Sequence, residues 1–146
     1  MSTPTGSRRV VAGMAATVAI AATVAGNAAA APNATTVVGT WSVSVVEHYR
    51  TGDVTRSGTF TFAPGGDGTV VTGSGLTGSL RWTQRGPGIR FDYNHNLPPD
   101  GTAQGHQDGS VARSATNFTS TGVVTQFRAD RSVIERFAAD FTGTKQ

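Results

Sequence analysis

The chain has 146 residues, with 12 Lys and Arg against 9 Asp and Glu, 19 glycines and no cysteine. That composition excludes a disulfide-stapled scaffold, and arginines scattered singly without a basic run exclude the electrostatic footprint of a nucleic-acid binder. Apolar and aromatic positions recur regularly from Val37 to Phe141, which points to a folded β domain instead of a disordered glycine-rich polymer.

The N-terminus reads as a secretory signal peptide. Arg8-Arg9 precede the uncharged run Val10 to Ala25, and Ala28-Ala29-Ala30-Ala31 stand ahead of Pro32. The run is shorter than the roughly 20 apolar residues a membrane span needs, so cleavage after Ala30 is expected, by the general secretory or the twin-arginine route, leaving no stable span. Loss of residues 1–30 leaves ten basic against nine acidic side chains, a net charge of +1 on 116 residues, enough for one domain. Residues 31–36 form a short polar leader, and a single domain over 37–146 follows.

From there the pattern has period two, broken by turn residues every eight to twelve positions, and no window has helical spacing. The spacing predicts strands at 38–50, 53–63, 68–74, 77–85, 88–96, 102–112, 116–128 and 132–142. Gly, Pro, Asn and Asp clusters such as Pro64-Gly65-Gly66-Asp67, Gly86-Pro87-Gly88 and Pro98-Pro99-Asp100-Gly101 separate them. The segment 102–112 is the poorest in apolar residues. A first hairpin centred on Thr51-Gly52 pairs Glu47 with Arg56, Val45 with Gly58, Val43 with Phe60 and Trp41 with Phe62, all on one face. Ser42, Ser44, His48, Thr55, Ser57, Thr59 and Thr61 then take the other face, and a bulge at Val45-Val46 would flip the far end. Ile89, Phe91, Tyr93 and His95 share a face in the fifth strand. Val133, Glu135, Phe137, Ala139 and Phe141 share one in the eighth, in phase with Val123, Thr125 and Phe127. Eight long two-faced strands favour an antiparallel up-and-down β-barrel, which leaves no free edges.

The first strand opens with Val38-Gly39-Thr40-Trp41, and this G-x-W start resembles that of the lipocalin and avidin barrels of the calycin group. The resemblance implies an eight-stranded antiparallel barrel whose Trp plugs the closed end and whose open end admits a small hydrophobic molecule. The chain departs from lipocalins in leaving no residues for a helix after the eighth strand and in carrying Phe91-Asp92-Tyr93 early. Its length suits avidin better, although no set of biotin-contacting residues is present. Barrels like allene oxide cyclase are a further group of similar size.

Alternating strand directions gather Glu47, Arg56, His95 and Glu135 at one mouth, in phase with the inward face and accompanied by Tyr49 and Tyr93. Apolar residues including Phe60, Phe62, Phe91 and Phe137 lie beneath. The expected product is a cup with an apolar floor and a charged rim, binding a small hydrophobic molecule with a polar head. Arg56 orients a carboxylate or carbonyl. In an enzymatic version Glu47 or Glu135 is the general base and His95 or Tyr93 the proton partner, for isomerisation or cyclisation without a cofactor. A third reading is a filled barrel that works through its outer surface. Against each polar residue stands a plain structural role: a cross-strand ion pair for Glu47 and Arg56, a loop-edge residue for His95, a solvated barrel end for Glu135. His48, His95 and His106 lack metal-ligand spacing, so no metal site is expected. Asn33-Ala34-Thr35 and Asn117-Phe118-Thr119 fit the glycosylation sequon.

Overall fold

The computed structural model describes residues 35–146; the expected signal peptide and the first residues of the leader lie outside the described residues. Eight strands follow one another: β1 (Gly39–Tyr49), β2 (Gly52–Phe62), β3 (Asp67–Thr72), β4 (Thr77–Arg85), β5 (Gly88–Leu97), β6 (Gly101–Val111), β7 (Asn117–Phe127) and β8 (Val133–Lys145). Each pairs antiparallel with the next and β8 returns to pair with β1, closing an up-and-down barrel. Every expected strand is present, and the described residues form no helix.

Alternation sorts the side chains as the period-two pattern requires. Trp41, Val43 and Val45 of β1 are buried while Ser42 and Ser44 are exposed, and Ile89, Phe91 and Tyr93 of β5 alternate likewise with Arg90, Asp92 and Asn94. The first hairpin is tighter than expected. Its turn is Arg50-Thr51, with Gly52 at φ +125° opening β2, so Tyr49 lies opposite Gly52 and Trp41 opposite Phe60. The register is therefore shifted by two residues, which keeps each side chain on its face where a shift of one would have inverted them all. Pairing runs unbroken through Val45 and Val46, without the bulge considered there.

The inward phase of β7 differs from expectation. Val124 is buried at 2% exposure and Val123 and Thr125 are not. The pairing steps by one between Gln126, opposite Glu135, and Phe127, opposite Val133. That irregularity leaves one extra residue in β8 and inverts any phase counted back from the turn.

The poverty of β6 in apolar residues has a packing cause. The inside of an eight-stranded barrel is only wide enough for side chains to fill, and aromatic rings from β1, β2, β5, β7 and β8 fill much of it. β6 answers with Gly105, directly opposite Tyr93, where an added Cβ would run into the phenol ring. Gly143 of β8 does the same beneath Phe118.

One end is closed by Trp41. It is fully buried, meets Phe118 edge to face at 5.1 Å, and donates its indole N–H to the Val37 carbonyl at 2.7 Å. Gln84 straps the preceding segment across this end, accepting from Val37 N–H at 2.9 Å and donating to the Thr35 carbonyl at 2.7 Å. Phe62 and Phe91, 5.4 Å apart and edge to face, complete the plug with Phe118. Each buried ring contributes on the order of 1.5–3 kcal/mol relative to exposure, so this end is dense and mostly apolar, with Gln107 and Ser120, which donates to Gln107 Oε1 at 3.3 Å, as the buried polar side chains.

Gly143→Ala should place a methyl group against the Phe118 ring and lower unfolding free energy by roughly 1–3 kcal/mol in urea titration. Pairing it with Phe118→Leu should recover part of the loss. A neutral single variant would show that the plug is not tightly packed there.

Candidate functional site

The aromatic filling stops about halfway along the barrel, and above Phe60, Tyr93 and Phe141 a cavity of about 380 Å³ opens at the other end. This end carries the β1–β2, β3–β4, β5–β6 and β7–β8 turns. Val45, Val70, Ala103 and Val124 line its lower wall, and Glu47, Arg56, His95 and Gln126 its upper wall.

The wall is not of even height. β1 and β2 pair up to their turn at Tyr49 and Gly52, and β5 and β6 up to Leu97 and Gly101. The β3–β4 hairpin between them is short: β2 pairs β3 only over Gly58–Phe62, and β5 pairs β4 only as far as His95. A notch two strands wide therefore cuts the mouth between β2 and β5. Its floor is the β3–β4 turn, where Gly73 N–H donates to the Ser57 carbonyl at 2.7 Å. Thr55, Arg56 and Ser57 are consecutive and alternate faces, yet all three border the cavity, because it wraps around the free edge of β2.

Glu47 is the best-held polar group of the site. Its side chain is 12% exposed, and Oε2 accepts from Arg56 Nε at 2.7 Å and from the Tyr49 hydroxyl at 2.8 Å. The guanidinium is exposed at the rim, so Arg56 brings its charge down to a carboxylate that could not otherwise be buried without heavy cost. The contact survives the shifted register because Arg56 reaches diagonally past Val54, the residue opposite Glu47. Tyr49 packs its ring on Phe137 at 4.4 Å. Burial, and then the hydrogen bond to Glu47, push its phenol up to about 12.

Tyr93 lies deeper. Burial, and then the negative charge of Glu47, hold its phenol above the usual 10. The His95 ring stacks nearly parallel to it, with centroids 6.3 Å apart and planes at 11°. His95 Nδ1 lies 2.7 Å from the Asn96 carbonyl oxygen. A carbonyl only accepts, so Nδ1 carries the proton and, in the neutral ring, Nε2 is the acceptor.

Of the residues singled out from the sequence, Glu47, Arg56, Tyr93, His95 and Phe60 line one cavity. Tyr49 stands behind Glu47 and touches it. Phe62 and Phe91 belong to the solid plug below, and Phe137 backs Tyr49 without lining the cavity. Glu135 is exposed on β8 opposite Gln126, outside the lining. Gln126 and Val124 take the place that the sequence reading assigned to the odd-numbered residues of β7. The signal for them was the run Phe118, Ser120, Gly122, Val124, which keeps one phase across the strand. Ala103, Leu76 and Leu97 carried no signal, since their place in the lining depends on where the β3–β4 hairpin ends.

The other histidines lie on the outer face. His48 bridges Asp53 and Asp140, both at 2.9 Å, and His106 joins Asp92 at 2.6 Å and Asp108 at 3.3 Å. Hydrogen bonds to these carboxylates, Asp140 first for His48 and Asp92 first for His106, raise both imidazoles above the usual 6.5. Each ring spends both nitrogens on separate carboxylates, so the ligand atoms do not converge, and among the described residues no metal-holding group is present.

Comparison of the chain with protein-family models, with curated proteins and with solved structures finds no match.

Tyr49 and Tyr93 are the protein's two tyrosines. Both phenols titrate higher folded than unfolded, so they contribute stability that is present below pH 10 and is lost as pH rises through the folded values. Phenolate absorbance at 295 nm should stay flat through the ordinary phenol range and appear only near pH 12 or together with unfolding. Glu47→Gln should bring the onset down. A phenolate signal near pH 10 from protein that is still folded by circular dichroism would contradict the placement of both rings.

Proposed function

We propose that the protein is a secreted binding barrel of calycin type, which holds a small hydrophobic molecule with its apolar body on Phe60, Val70 and Phe141 and its polar head at Glu47, Arg56 and His95. One observation carries the reading. The buried rings gather at the Trp41 end, and toward the other end a space of about 380 Å³ is left, with Glu47, Arg56 and His95 in its upper wall. Small-molecule sites commonly fall between about 300 and 1,000 Å³ and combine apolar walls with a few placed polar groups. The export step rests on Arg8-Arg9, the uncharged run Val10 to Ala25 and the alanines that follow. The calycin assignment rests on Gly39-Thr40-Trp41 together with the closed eight-strand order.

A second reading, a cofactor-independent isomerase or cyclase in the same cavity, is favoured by the stacked His95 and Tyr93 rings on its wall, with His95 Nδ1–H given to the Asn96 carbonyl. His95 would remove a proton and Tyr93 would donate to the oxygen on which charge develops. In that version Glu47 positions Arg56 and Tyr49, since its Oε2 is occupied by both of them.

The binding reading is tested by filling the cavity. Ala103 is 1% exposed and lines it, so Ala103→Phe and, separately, Val124→Phe should occupy the space while the circular dichroism of the barrel is kept. N-phenyl-1-naphthylamine, an uncharged apolar fluorophore, should brighten with the native protein and lose most of that enhancement with either variant. Equal enhancement in all three, or none with the native protein, would count against a binding cavity.

A further inference from the structure

The cavity contains a donor that the protein itself does not use. Tyr93 is 7% exposed and lines the cavity, and its hydroxyl has no hydrogen-bond partner among the described residues. The hydroxyl is not a sealed orphan, for among the described residues Gln107 Nε2 is the buried side-chain polar atom left without a partner; the Tyr93 oxygen opens onto the cavity and meets whatever fills it. Its position is not an accident of loose packing. The phenol ring lies over Gly105, the one residue type there that leaves it room, and is held by Phe60 at 5.5 Å and Phe141 at 5.6 Å. The ring is thus fixed in place while its polar end is left facing the cavity.

Two residues along the same strand, His95 supplies the complement. Its Nδ1–H is spent on the Asn96 carbonyl, which orients the ring and leaves Nε2 as an acceptor in the neutral form. The two rings therefore stand side by side on one wall, stacked with centroids 6.3 Å apart.

Charge decides what kind of head group fits. The cavity lining contains one carboxylate and one guanidinium, Glu47 and Arg56, and these are already in contact at 2.7 Å. A ligand carboxylate would meet Glu47 beside the cation it needs, and a ligand ammonium would meet Arg56 beside the anion it needs. The pair cancels, and the site as a whole has no net charge to offer an ion.

We propose that the occupant of this cavity is an uncharged apolar alcohol or phenol, whose oxygen accepts from the Tyr93 hydroxyl and whose proton is donated to His95 Nε2. This rests on the binding-barrel reading and narrows it from a polar head in general to a neutral hydroxyl. The cavity volume corresponds to about a dozen waters at liquid density, which suits a molecule with roughly that many non-hydrogen atoms.

The test uses the full chain and three probes of equal length in titration calorimetry at pH 7.5: 1-nonanol, nonanoate and nonylammonium. The expected result is that 1-nonanol binds tightest, by about tenfold or more over either ion. Tyr93→Phe should keep the fold, because it removes a group that has no partner, and should weaken 1-nonanol by roughly fivefold while leaving the two ions unchanged. Tighter binding of nonanoate or nonylammonium would overturn the neutral-hydroxyl inference and leave the barrel a binder. Unchanged 1-nonanol affinity in Tyr93→Phe would overturn the role given to that hydroxyl. If the native protein bound none of the three, the binding-barrel reading itself would fail.

Discussion

The width of an eight-stranded barrel is the constraint on which the rest of this structure depends. Eight tilted strands enclose a space that ordinary side chains just fill, so every layer of the interior must be settled by a trade between large residues on some strands and small ones on others. In this chain β1, β2, β5, β7 and β8 supply the rings, while β6 and β8 supply glycines at positions such as Gly105 and Gly143, where a ring from a neighbouring strand lies across the backbone. The Trp41 end is closed because rings from four strands meet there. The opposite end is open because the inward positions above Phe60 change to Val45, Ala103 and Val124, which are too small to meet across the middle. The cavity is thus the place where ring-bearing positions run out.

The polar residues of the mouth follow from the same geometry. A carboxylate at an inward position is tolerable only with partners, because removing it from water costs far more than a single contact returns. Glu47 has two, and both arrive from places the hairpin dictates: Tyr49 on its own strand at the same face, and Arg56 from the adjacent strand. The three form a local unit whose first role is to make the rim foldable. Its effect on a ligand is indirect, through the cancelled charge it presents. Tyr93 and His95 stand on β5, across the two-strand notch from that unit, and after His95 Nδ1–H is given to the Asn96 carbonyl they still present the Tyr93 hydroxyl and His95 Nε2 to the cavity.

Much of this was legible from residues alone, for a definite reason. Facial parity depends only on alternation, and alternation is written in the chain. Trp41, Phe60, Phe91 and Phe141 were assigned inward from it, and the order of eight strands followed from the turn chemistry. Register was less legible. The turn of the first hairpin at Arg50-Thr51 instead of Thr51-Gly52 moved every partner by two residues, and the irregularity between Gln126 and Phe127 inverted the phase of β7. Neither has a local signal stronger than the alternation around it. The notch between β2 and β5 depends on a β3–β4 hairpin that ends early, at Thr72, and so on a length that turn residues at Gly73 and Gly75 leave undecided. Glu135 shows the same limit: its phase is inward, but it stands beside the β8 irregularity and projects to solvent. What no reading of residues could supply is absence. That the Tyr93 hydroxyl finds no hydrogen-bond partner among the described residues is a property of everything around it.

Binding of an apolar molecule depends on the space above Phe60 being open in the folded molecule. Xenon enters empty apolar cavities and scatters strongly, so a crystal of the protein under xenon pressure tests it most directly. The account requires xenon density enclosed by Phe60, Val70 and Val124, with none among the rings of the Trp41 plug. A hollow closed over by Leu76 and Leu97, with no xenon inside it, would contradict the central claim.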